Sequence, residues 1–284
     1  MPHFHLLFRG SCVSVSDWDC RPSESSPGGV ETSVNHAMAF TRRGLYRKHV
    51  DGREVLADPA TVVFYPRWEE YRISHPLPGG DRCLDLVVDD EALDELARPA
   101  AADAGRPFAG THGPLTPRGA LLARRLTATL PLGDAVEIEE TALGLAAEAL
   151  RARSAAREPG VPHTAVSHRR AVGRATLALC ARFREALTLE VLAREACYSP
   201  YHFCRIFKRE TGLPVHRYLN RLRLLAALES LDQGVDLTRL AISVGFSSHS
   251  HFTSAFRREF GAVPSRILRR LATLRLDQLP ELQP

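Results

Sequence analysis

At 284 residues the chain is long enough for two domains, each with its own core. Its 25% charged and 44% hydrophobic residues are those of a soluble globular protein. No stretch approaches the ~20 uninterrupted apolar residues of a membrane span. The formal charge of +4 is unevenly spread: residues 165–284 carry 19 Arg and Lys against 10 Asp and Glu, and residues 1–164 carry 18 against 23. The opening MPHFHLLFRGS has too short an apolar run for a signal peptide. Six scattered cysteines show neither disulfide-framework spacing nor a CxxC pair, which points to a reducing cytoplasm.

Residues 1–30 offer few structural signals beyond Cys12–Val15, read as an edge strand, and a loop at RPSESSPGG. From Glu31 the pattern turns to short strands. NHAMAFTR is followed by LYRKHV and REVLA, the last two joined by Asp51-Gly52, a hairpin signal. ATVVFYP, EEYRISHP and DRCLDLVVD continue the series. Five or six antiparallel strands in so short a span predict a small barrel or β-roll.

Asp89–Leu96 then reads as a short helix, 97–114 as a loop, and Thr116–Leu130 and Asp134–Ala156 as two helices. In the last, Ile138, Leu143, Leu145, Ala146, Ala149 and Leu150 form a broad apolar stripe, suited to covering the barrel or to pairing with its copy in another subunit. Residues 156–164, rich in Pro, Gly and charge, read as a linker between domains at 1–155 and 165–284. Ser167–Phe183 is the expected first helix of the second domain.

Asp236 and the residues to Pro264 read as two short helices around a tight turn. Asp236 is a good N-cap, and Leu237, Leu240, Ala241 and Val244 share one face. Gly245 frees the backbone at the turn, and Ser247 or Ser248 caps a second helix whose buried side is Phe252, Ala255, Phe256 and Phe260. Its other face carries His249, Ser250, His251, Thr253, Ser254, Arg257 and Arg258, a polar and basic surface suited to the DNA major groove. The pattern occurs twice. LAREACYSPYHFCRIFKRETG from Leu192 aligns with LAISVGFSSHSHFTSAFRREFG from Leu240 after a one-residue insertion. Between the copies, Pro214 is expected as the first residue of a helix reaching about Leu231, roughly 28 Å long. The basic half of the chain is the half that holds the repeat, as phosphate neutralisation requires.

The run YSPYHFCRIFKRETGLPVHRYLNRLRL, followed by LAISVGFSSHSHF and FRREFGAVPS, resembles the C-terminal DNA-binding domain of the AraC/XylS family of transcriptional regulators. The resemblance covers roughly Ser167–Arg270 and implies an all-α domain with two helix–turn–helix units. Regulators of this family often carry a cupin-like sensor domain at the other end, and the strand-rich segment, including HPLPGGDRC, resembles one. The fold class that follows is α+β: a β-rich cupin-like barrel with flanking helices, then a double helix–turn–helix. Two departures stand out. Cys197 occupies the turn position where the family usually has glycine, and Cys204 lies where a polar residue commonly faces DNA, so the first unit is expected to read bases less stringently.

The resemblance turns Tyr201, His202, Cys204 and Arg205 of the first recognition helix toward DNA, while Phe203, Ile206 and Phe207 pack. Arg205 is the expected base reader, since a guanidinium can bond guanine O6 and N7 together. His249, Ser250, His251 and Ser254 match groove-facing positions in the second helix. Arg209 and Arg257, with Lys208 and Arg258, sit near helix C-termini and suit phosphate or internal carboxylates. Arg221 is expected to brace the linker helix.

In the strand-rich half, Phe40, Tyr46, Phe64, Tyr65, Trp68 and Tyr71 are candidates to line an apolar effector pocket, or simply to fill the core. Catalysis finds little support: His36, His49 and His75 stand singly, and there is no phosphate-cradling glycine loop or nucleophile elbow. No catalytic residue, metal ligand or cofactor is assigned. The expectation is a cytoplasmic regulator, not an enzyme. Its partners would be double-stranded DNA, RNA polymerase, a small-molecule effector and a second copy of itself, with no membrane. The alternatives are a ligand-processing cupin-type enzyme tethered to a DNA-binding domain, and a regulator sensing thiol chemistry or metal through Cys12, Cys20 or Cys83.

Overall fold

A computed structural model describes residues 3–21, 28–97, 108, 110–131, 133–155, 163–234 and 236–271. The chain divides into two units, Met1–Arg157 with Arg257–Pro284, and Glu158–Phe256. The first boundary falls within the expected linker, most of which (156–162) lies outside the described residues, as do 22–27 of the RPSESSPGG loop and 272–284. The second boundary falls inside a helix, between Phe256 and Arg257.

The first unit contains β1 (His3–Arg9), β2 (Val13–Cys20), β3 (Glu31–Thr32), β4 (Ala37–Gly44), β5 (Tyr46–Val50) and β6 (Arg53–Ala57). They are followed by β7 (Thr61–Tyr65), β8 (Glu70–Ser74), β9 (Asp81–Val88), α1 (Asp90–Ala97), β10 (His112–Pro114), α2 (Pro117–Thr129) and α3 (Ala135–Ala155). Six strands form one sheet in the order β1-β2-β9-β4-β7-β10, and four form another, β3-β8-β5-β6. The Asp51-Gly52 hairpin is present as expected. Both residues have positive φ (49° and 70°), as a type I′ turn requires, and Val50 faces Arg53 across it.

Two strands were illegible. β2 is not an edge strand, because β1 pairs with its outer side. β1 escapes pattern reading since nearly all its side chains are exposed, so no alternation marks it. β10 has three residues, too few for any period, and lies in the span read as a loop, of which 98–107 and 109 are outside the described residues.

The six-stranded sheet has two apolar faces. Ala37, Ala39, Val63, Tyr65 and Cys83 pack against Tyr46, Val55 and Ala57 of the strands opposite. The alternate pleat buries Met38, Phe40, Phe64, Leu84 and Leu86, with Met38 in register with both Phe64 and Leu86. Helix α3 packs on α2 and on β2, β9 and β10, so its apolar stripe covers the sheet. The Thr116 hydroxyl caps α2 by accepting from Gly119 N, and Asp134 caps α3 by accepting from Glu137 N.

The second unit consists of α4 (His163–Arg182), α5 (Leu189–Glu195), α6 (Pro200–Thr211), α7 (Val215–Ser230), α8 (Leu237–Ser243) and the first eight residues of α9 (His249–Phe260). Helix α10 (Pro264–Leu271) ends the described chain. Pro214 is the N-cap of α7 rather than its first helical residue, because its ψ of 148° is extended. The helix has 16 residues, and so spans ~24 Å at ~1.5 Å per residue, a turn shorter than expected. Arg223 provides a brace of the kind expected of Arg221. Its Nε donates to Phe183 O (2.6 Å) and its Nη2 to Glu185 O (2.8 Å), tying α7 to the chain after α4.

Candidate nucleic-acid interface

The two helix–turn–helix units are built on the same plan. The Thr188 hydroxyl caps α5, and the Asp236 carboxylate caps α8 by accepting from Thr238 N and Arg239 N. Those backbone donors hold the Asp236 carboxyl below the usual range. Each of these helices ends in a Schellman turn. Cys197 N donates to Arg194 O and Tyr198 N to Ala193 O; Gly245 N donates to Ile242 O and Phe246 N to Ala241 O, all at 3.0 Å. The next helix starts from a serine cap in both, Ser199 accepting from His202 N and Ser248 from His251 N.

Each second helix buries an aromatic keel. Phe203, Ile206 and Phe207 are buried in α6, with Phe207 edge-on to Tyr218 of α7 at 5.4 Å. Phe252, Ala255 and Phe256 are buried in α9, with Phe246 from the turn packed on Phe252 at 5.4 Å. Burying each phenylalanine contributes on the order of 2–3 kcal/mol, so the keel fixes which face looks outward.

That outward face holds most of the residues expected there. On α6, Tyr201 (76% exposed) and Arg205 are exposed, and Cys204 is half-buried. His202 is half-buried in a ring cluster, stacked on Tyr198 at 5.0 Å and near His168 at 5.7 Å. Arg209 is engaged within the unit, paired with Glu210 at 3.0 Å and 2.6 Å from His168 Nδ1. On α9, His249, Ser250, His251, Ser254, Arg257 and Arg258 are all exposed, and His249 Nε2 lies 3.4 Å from Thr253 Oγ1. The arrangement offers two polar, cationic helix faces on N-capped helices, matched to base edges and phosphates.

The six aromatics of the first unit do not converge. Phe64 and Tyr65 are neighbours on β7 and therefore point to opposite faces. Phe40 and Phe64 belong to the pleat facing away from the second sheet, where Phe64 stacks on Phe108 at 5.0 Å. Tyr46, Tyr65 and Tyr71 do gather between the sheets, with the Tyr46 and Tyr65 hydroxyls hydrogen-bonded at 3.0 Å. Trp68 is 70% exposed at φ +67°, outside this group. A residue that pattern reading missed joins the tyrosines. Lys48, fully buried, lies 4.1 Å from the Tyr65 ring centroid, donates to Phe64 O and pairs with Glu69.

The cysteines do not form one set either. Cys12 precedes β2 and lies 3.4 Å from Glu139 Oε1, whereas Cys20 ends the same strand. His75, read as standing singly, is instead 2.7 Å from Asp81, because the Pro78-Gly79-Gly80 turn folds the chain back on itself.

Residues 192–270 match a family described as a helix-turn-helix domain. Among curated proteins, the activator RhaS of Escherichia fergusonii is 43% identical over 86 residues, which is 30% of this chain and 31% of RhaS. The probable transcription factor PqrA of Proteus vulgaris is 32% identical over 83 residues, 29% of this chain and 68% of PqrA. A solved AraC-type regulator from Chromobacterium violaceum is 26% identical with a TM-score of 0.35, covering 38% of this chain and 97% of that one. These matches thus span under a third of RhaS but two thirds of PqrA, and the helix-turn-helix family match, over residues 192–270, lies on the repeated units. The chain belongs to the AraC/XylS family of transcriptional regulators.

Proposed function

We propose that the protein is a sequence-specific DNA-binding transcription regulator that reads two adjacent major-groove segments with α6 and α9. One observation carries the reading: two units with the same turn hydrogen bonds and the same cap positions each leave a polar, basic helix face exposed on an aromatic keel. Arg205 reads bases from α6, and His249, Ser250, His251 and Ser254 from α9. Tyr201, His202 and Cys204 border the groove, and Arg257 anchors phosphate, as Arg209 does where it exchanges its pairing with Glu210 for DNA. The first unit serves as the sensor of an effector. A second copy and RNA polymerase are its further partners, in the cytoplasm. No helix among the described residues is long and apolar enough to cross a membrane.

The test is selection of bound sites from a random DNA pool by the full-length protein. Two clusters of enriched bases about one helical turn apart are expected. Recovery of unenriched sequence would refute base reading.

A further inference from the structure

Cys20, His75 and Asp81 meet at one end of the six-stranded sheet. Cys20 is the last residue of β2 and pairs in register with Asp81, the first residue of β9. His75 directly follows β8 of the other sheet. One donor atom from each lies within 4.8 Å of the other two. The turn between His75 and Asp81 has no slack. Gly79 and Gly80 both take positive φ, and Gly44 (φ +72°) lets Gly80 O come within 2.0 Å, and Asp81 Cα within 2.9 Å, of where a Cβ would stand.

His75 Nε2 and Asp81 Oδ1 face each other at 2.7 Å on side chains only 13% and 4% exposed. Both atoms are buried, and apart from this mutual contact neither has a hydrogen-bond partner. The other Asp81 oxygen is taken by Cys83, whose Sγ lies 3.1 Å from Oδ2. A cation bonded to both would give each of these buried atoms a full-strength partner that their mutual contact does not supply.

We propose that Cys20 Sγ, His75 Nε2 and Asp81 Oδ1 form a binding site for a divalent zinc-class cation. Thiolate, imidazole and carboxylate are the donors zinc takes, whereas calcium and magnesium require oxygen sets. Three protein donors leave a fourth tetrahedral position for water or an exogenous ligand. Zinc bonds of ~2.0–2.3 Å hold ligand atoms roughly 3.3–3.8 Å apart, so the His75–Asp81 pair opens slightly from 2.7 Å. Burial, then the Asp81 carboxylate, push the metal-free Cys20 thiol up to about 12. A dication reverses that local field: the S–H proton leaves to water as the S–metal bond forms. Because Cys20 and Asp81 sit on one sheet and His75 leaves the other, occupancy ties the two sheets together. The site lies wholly in the first unit and does not depend on the DNA-reading assignment.

Cobalt and zinc titrations of reduced, chelator-stripped full-length protein test it. Cobalt should give a thiolate-to-cobalt charge-transfer band saturating at one equivalent per chain, which zinc displaces. Cys20→Ser should abolish the band. His75→Gln and Asp81→Asn should each weaken zinc binding ~100-fold or more. Cys12→Ser and Cys204→Ser should change neither. Circular dichroism of the metal-free variants checks their folding, and His75→Gln carries the test if Cys20→Ser does not fold. A wild-type protein without the band, a band that survives Cys20→Ser, or unchanged zinc affinity in His75→Gln would overturn the site.

Discussion

Cys197 and Gly245 hold the same position in the two helix–turn–helix units, at φ +62° and +96°. The first angle lies in the left-handed well that an L-residue enters at a cost of ~1–2 kcal/mol; the second lies beyond it. A Cβ on Gly245 would also stand 2.8 Å from Arg184 O and 2.9 Å from Arg223 Nε. The turn therefore tolerates a side chain in one unit and not in the other. Cys197→Gly should raise stability by up to about 1 kcal/mol, strain relief being partly offset by unfolded-chain entropy. Gly245→Ala should lower it by at least ~2 kcal/mol. Denaturant midpoints of the two variants check the pair, and equal effects would contradict the asymmetry.

Arg223 gives a second expectation. Truncation to alanine leaves Phe183 O and Glu185 O without their guanidinium donors, so Arg223→Ala should cost ~2–4 kcal/mol. Lysine cannot reproduce the forked geometry, and Arg223→Lys should recover less than half of the loss. Urea unfolding of the full chain measures both, and complete recovery by lysine would show that charge alone matters there.

Base reading and phosphate anchoring separate by mutation. Arg205→Ala should cost ~1–3 kcal/mol on the preferred site and relax choice at one base pair. Arg257→Ala should weaken all sequences alike and make the salt slope shallower by ~1. Site selection with salt titration on each variant decides the roles. An Arg205→Ala protein with unchanged base preferences would remove α6 as a reader.

Asp85 sets a pH dependence in the first unit. It sits on β9 in register with Ala39 and Ser16, and burial pushes its carboxyl up to about 7. The unfolded value is ~3.9, so between pH ~4 and ~7 the folded state binds the extra proton. This contribution to stability is therefore largest below pH ~4, is lost as pH rises to ~7, and is flat above. Asp85→Asn removes the penalty. It should raise the melting temperature relative to wild type at pH 8 and much less at pH 5. An equal difference at both values would show that Asp85 stays ionised.

The second unit was legible because its signals are local. Asp236, Ser199 and Ser248 cap their helices through their own side chains, and Phe203, Phe207, Phe252 and Phe256 recur at helical spacing. The Asp51-Gly52 hairpin was legible for the same reason. What escaped depends on assembly. Strand β1 has no buried face to mark it, and Lys48 is buried only because Glu69, just before β8, and two tyrosine rings of other strands close over it. Phe64 and Tyr65 could have been separated from sequence, since adjacent strand residues cannot line one pocket. For Cys20, His75 and Asp81 the available signal was a histidine and an aspartate flanking Pro-Gly-Gly; the cysteine arrives from a strand more than fifty residues away.

The separate phenylalanine keels of α6 and α9 have an evolutionary consequence. Substitutions on the outward face of one helix leave the packing of the other untouched, and effects at such distant sites add. If each helix reads its own DNA segment as proposed, the protein and its operator can drift together one half-site at a time, the unchanged half keeping occupancy from falling to zero while the other finds a new match.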